Sequence, residues 1–128
     1  MRIFRTKAFT RWVDRAGILD VDLCRSIRDA ERGLIAADLG GGVIKQRIAR
    51  PGQGKSGGFR ALIVFRAGVR AFFVYGFAKN ETGNVERDEL VAFKKLAALL
   101  LAYDEKTIAQ IIATGTLVEV ICDEKTIP

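Results

Sequence analysis

The sequence predicts an α+β domain: a mainly antiparallel sheet of four to five strands, packed against two N-terminal helices and a C-terminal helix. Three observations predict it. Apolar side chains recur every three to four residues before the triglycine Gly40-Gly41-Gly42, every second residue after it, and every three to four again from Glu86. The strands therefore form a run between two runs of helices, the pattern of an α+β domain and not of alternating βαβ units. At 128 residues and 49% apolar content, residues 1–128 make one domain with enough apolar material for a core.

Residues 2–5 alternate charged and apolar side chains and form a short strand. Thr6 caps a first helix carrying Phe9, Trp12 and Val13 on one stripe, and Gly17 ends it. Asp20 caps a second helix with Leu23, Ile27, Ala30 and Leu34 as its stripe, ending before the triglycine. Residues 43–50 form a strand, 51–58 a Gly-rich loop, 59–66 a strand, Ala67-Gly68 a turn and 69–77 a strand. The last of these, with Phe72, Phe73, Val74, Tyr75 and Phe77, is apolar on both faces and suits a central position. Residues 86–103 form a helix with Leu90, Phe93, Leu96, Ala97 and Leu100 on one side. A helix over 106–113 turns at Gly115 into a closing strand, 116–121.

Residues 39–80 hold eight of the chain's 21 cations and none of its 15 carboxylates. The eight are Lys45, Arg47, Arg50, Lys55, Arg60, Arg66, Arg70 and Lys79, so the net charge of +6 is concentrated in the predicted sheet. A positive sheet without compensating acids is suited to an anion, and a nucleic-acid backbone is the commonest large one. Ordinary solvated faces mix both signs. Histidine is absent, which removes the usual general base near neutral pH and most transition-metal sites. The N-terminus carries charge where a signal peptide would be apolar, and no apolar run is long enough to cross a bilayer. A cytoplasmic protein is expected, with Cys24 and Cys122 as buried thiols.

Strand alternation sorts the cations. Ile44 and Ile48 share one face of their strand, Lys45 and Arg47 the other. If the isoleucines meet the helices, the cations stand on an open sheet face, with Arg60 near the same end and Tyr75 or Phe77 beside them. Cations for phosphate and a ring for a base are what single-stranded nucleic acid requires. Gly54-Lys55-Ser56 is not a P-loop: Ala49 stands where the motif needs glycine, and a strand follows where it needs a helix. The loop reads instead as a cationic flap.

Three motifs resemble one family. They are Lys45-Gln46-Arg47, then Gly54-Lys55-Ser56-Gly57-Gly58-Phe59-Arg60, then Tyr75-Gly76-Phe77-Ala78-Lys79-Asn80-Glu81. In this order and spacing they resemble the RelE/HigB-type toxins of bacterial type II toxin–antitoxin systems. The resemblance implies a microbial-ribonuclease-like fold. It implies an mRNA endoribonuclease that acts on the ribosome without metal or cofactor, the 2′-hydroxyl attacking the adjacent phosphate, and a cognate antitoxin that silences it. It also implies that Lys45, Arg47, Arg60 and Lys79 are the family's basic residues. The best-known members continue with an arginine and a later tyrosine; here stand Asn80 and, near the tyrosine position, Val85 or Glu86.

The reaction needs a base for the 2′-proton, stabilisation of the phosphorane-like charge and an acid for the leaving 5′-oxygen. Arg60 and Arg47 suit the second task. Lys45 or Lys79, among crowded cations, or Glu81, suits the first, and Lys55 or Tyr75 the third. Arg50, Lys55, Phe77 and Asn80 complete the expected RNA contacts. An antitoxin is expected to cover the cationic face by charge and to use a Trp12/Phe9 surface. The alternative from another class is a ParE-like, non-enzymatic inhibitor of DNA gyrase, and a plain nucleic-acid-binding module is a third.

Overall fold

Thr6 both ends the first strand and starts the first helix. Its hydroxyl accepts from the Phe9 amide, one of the donors a helix start leaves unpaired. In the computed structural model, β1 (Arg2–Thr6) thus runs directly into α1 (Lys7–Ala16), and Gly17, at φ 71°, stops that helix in the left-handed region. The structure describes residues 1–50, 54–78 and 87–122, with the backbone alone at 50 and 54–57.

The second helix, α2 (Asp20–Glu31), is capped differently from the expectation. The Leu19 amide donates to the Asp22 carboxylate, and Asp20 is the first helical residue. The helix ends at Glu31, and Leu34, expected on its stripe, lies beyond it and is exposed. The reason is Gln46: its buried side-chain amide donates to the Ser26 and Leu34 carbonyls and holds the segment after α2 against the sheet. That segment supplies a strand that periodicity did not mark, β2 (Ala37–Gly40). There follow β3 (Val43–Arg50), β4 (Gly54–Arg66), β5 (Arg70–Ala78), α3 (Arg87–Ala102), α4 (Glu105–Ala113) and β6 (Leu117–Val120). The strand expected from residue 59 starts at Gly54, inside the expected loop.

The fold is α+β, as expected, and the described residues form a six-stranded sheet in the order β2-β3-β4-β5-β1-β6. Neighbouring strands are antiparallel except β1 and β5, which are parallel, so the sheet is mixed. Strand β5 is central, and its two apolar faces feed two cores. On one face Phe73, Ile63, Ile44 and Ile48 pack with Phe9 and Val13 of α1 and Leu23 and Ile27 of α2. On the other, Phe72, Val64, Leu62 and Val43 pack with Ala97 and Leu100 of α3 and Ile108 of α4. The second face is therefore not open along its length: α3 and α4 cover the part around Phe72.

Two further expectations are corrected. Cys24 and Cys122 are joined in a disulfide, not free thiols: the chain leaving β6 returns over α2 and brings their Cα atoms to 5.8 Å. Phe9 is 1% exposed and belongs to the core, so the expected docking surface loses it, while Trp12 packs on Phe9 and Phe59 and stays half-buried. No helix among the described residues is long and apolar enough to cross a membrane.

Candidate functional site

Strand alternation places the first cations. Ile44, Gln46 and Ile48 point toward α1 and α2, so Val43, Lys45 and Arg47 point to the opposite face. Pairing then builds two rungs on that face. In one, Arg47 stands opposite Arg60, which stands opposite Phe77; in the next, Lys45 stands opposite Leu62, which stands opposite Tyr75. Directly opposed residues have Cβ atoms roughly 5 Å apart. Lys45, Arg47 and Arg60 are thus brought together.

Tyr75 and Phe77 reach this face because of a bulge. Leu62 pairs with Tyr75 but Ile63 pairs with Phe73, so Val74 is an extra residue in β5. Simple alternation would set Tyr75 on the same face as Phe73, toward α1. The extra residue shifts the phase, and Val74 and Tyr75 both join the core under α3. Gly76 then faces the other way, against Trp12: a Cβ there would lie 2.2 Å from the indole ring. The glycine of the Tyr75-Gly76 motif is thereby explained by a close approach of the indole to the strand.

Phe77 is 5% exposed, while Tyr75 is half-buried and keeps open surface. The Tyr75 ring lies 5.8 Å from Phe77 and 5.6 Å from Phe93 of α3. Phe93, read from the sequence as a core residue, is therefore also the wall of the site, a role that needed the tertiary contact to be seen. The end of the face beyond the Tyr75 rung carries Arg47 and Arg60.

The electrostatics are one-sided. Arg47 is exposed, Lys45 and Arg60 are half-buried, and among the described residues no carboxylate forms an ion pair with any of them. Burial, and next the positive charge of Arg47, hold the Arg60 guanidinium below its ordinary proton affinity. It remains a cation, and one Nη donates to the Phe59 carbonyl at 3.2 Å. Arg70, by contrast, is at the far end of β5. It donates to the Tyr103 carbonyl and pairs with Glu105 at 2.7 Å. The eight cations of residues 39–80 accordingly do not form a single patch.

The side chains of Arg50 and Lys55, and residues Lys79, Asn80 and Glu81, lie outside the described residues. Among the described residues no cluster of three His, Cys, Asp or Glu side chains is placed to hold a metal ion.

No curated protein matches the chain. The family described as the RelE toxin of the RelE/RelB toxin–antitoxin system matches it over residues 1–120, almost its whole length. With the sheet and its cationic rungs in view, that match settles the membership: the chain belongs to the RelE toxin family, the toxin side of a toxin–antitoxin pair.

Proposed function

We propose that the protein is an endoribonuclease that cleaves mRNA on the ribosome, the RNA 2′-hydroxyl attacking the adjacent phosphate. The observation that carries this reading is the Arg47–Arg60 rung. Two arginines stand directly opposite each other on neighbouring strands, and among the described residues no carboxylate forms an ion pair with either. Like charges directly opposed cost stability, and a phosphate placed between them removes that cost. The attraction of both arginines for the phosphate rises further when it gains charge in the transition state, so the pair favours the transition state over the bound ground state.

Arg60 is assigned the main share of charge stabilisation, because its half-buried guanidinium is fixed by the Phe59 carbonyl. Arg47, more exposed, steers and holds the phosphate. Lys45, on the adjacent rung of the same face, is assigned as the base. Tyr75 offers a hydroxyl for the leaving 5′-oxygen and a partly open ring for a base. Lys79 and Glu81 follow the end of β5 in sequence and are the rival proton-transfer groups. Lys55, Arg50 and Asn80 are assigned to RNA contact, whereas Phe77, expected there too, is buried and backs the Tyr75 ring.

Translating ribosomes incubated with the protein test the reading, with new mRNA 5′ ends mapped by primer extension. Cuts in register with codons are expected, and Arg60→Ala should slow them by about 10²–10³. Intact mRNA together with inhibited DNA supercoiling would instead establish the gyrase inhibitor.

A further inference from the structure

The helix α3 exposes apolar residues on its outer side as well as burying them on its inner one. Its inner stripe, including Ala97 and Leu100, is buried under the sheet. Its outer stripe from Val91 to Ala102 carries Val91, Lys95, Ala98 and Leu99, and these are all exposed, Val91 at 48% and Leu99 at 56%. A surface helix normally turns charged residues to water, and a helix apolar all round is normally covered. Beside this stripe lies a hollow lined by Gly41, Gly42, Phe65, Arg66, Leu101 and Ala102. The glycines keep it open: a Cβ on Gly42 would meet Leu101 at 3.0 Å, and one on Gly41 would meet the Lys94 side chain at 3.0 Å.

Along the stripe from Leu90 to Ala102 the charged residues are Lys94 and Lys95, and Arg66 stands across the hollow, while the first turn before it carries Arg87 together with Asp88 and Glu89. A second copy docking by two-fold symmetry would bring the same patch against itself, lysines facing lysines. An amphipathic helix with apolar residues at a spacing of three and four, flanked by carboxylates, would meet apolar surface with apolar surface and cation with anion. We infer that the outer face of α3 and the adjoining hollow are the docking site for an acidic amphipathic helix of the antitoxin. The inference rests on the family membership and not on the ribonuclease reading.

Calorimetric titration of the purified toxin with its cognate antitoxin, at physiological salt, tests this. Leu99→Glu is expected to weaken binding by about 30-fold or more, the loss of a central interface residue. Lys95→Glu should weaken it too, by reversing a rim charge. The free Leu99→Glu toxin should melt as the wild type does and cleave RNA at the wild-type rate, because Leu99 projects into water. If it does not fold, Ala98→Glu is read in the same way. Antitoxin affinity within threefold of wild type for the folded variant would overturn the inference. So would a free toxin that is a dimer and becomes a monomer on Leu99→Glu, since the occupant would then be a second copy. A toxin that cleaves no RNA but loses antitoxin on Leu99→Glu would end the nuclease reading and leave this one standing.

Discussion

Lys45 and Arg47 were legible as neighbours because a two-residue period fixes which side chains share a strand face. Arg60 was legible only as lying near the same end, across the Gly-rich loop, and strand pairing made it the partner of Arg47. Tyr75 was legible only as a candidate, because its position depends on the extra residue Val74, which the alternation of a run apolar on both faces does not reveal. Gly76 was quoted as part of a motif without a reason; the indole of Trp12, 64 residues earlier in the chain, supplies it. Gly76→Ala is expected to force the ring or the strand to move and to lower stability by about 1–3 kcal/mol, the usual cost of overpacking. Urea unfolding monitored by Trp12 fluorescence would measure it, and an unchanged midpoint would show that the ring can move away freely.

Among the elements, β2 escaped the sequence because it is held by a side chain, not by its own pattern: Gln46 fixes the segment that leads into it. The last strand and helix are held by a charged cluster. Arg2 of β1 pairs with Glu119 of β6 at 2.9 Å and with Glu105 at the start of α4, and Arg70 of β5 pairs with Glu105 from the other side. Its hydrogen bond from Arg2 pulls the Glu119 carboxyl below its usual range, and the bond from Arg70 does the same for Glu105. Both folded values are lowered, so the contribution to stability is complete above the unfolded carboxyl value of about 4.3 and is lost as pH falls through the folded values. Glu119→Gln should therefore flatten the acid side of a plot of melting temperature against pH while changing its slope little above pH 6. An acid limb as steep as in the wild type would place the sensitivity elsewhere.

At the scale of the molecule, the sequence predicted the fold class and the cationic strands, but not that helices cover both faces of the sheet. The stripe on α3 said that this helix packs on something; it did not say which face of the sheet. Nor did the spacing of Cys24 and Cys122 disclose their proximity, which follows from the return of the chain over α2. That bond closes a loop with a sequence separation of 98, and removing it should cost about 2–4 kcal/mol, largely by enlarging the unfolded ensemble. Cys122→Ser compared with wild type, with and without reductant, would show a lower melting temperature in the variant and a matching drop for the reduced wild type. Equal melting temperatures in all four samples would mean that the bond does not form in solution. In the proposed reaction Arg47 and Arg60 stabilise a cleaving phosphate without help from a metal. The chemistry of the RNA ends tests this most directly. Attack by the 2′-hydroxyl expels the 5′-oxygen, so fragments made by the protein in excess chelator should carry a 2′,3′-cyclic phosphate and a 5′-hydroxyl, and Arg60→Ala should make few of them. Fragments with a 5′-phosphate, or cleavage that chelator abolishes, would contradict it.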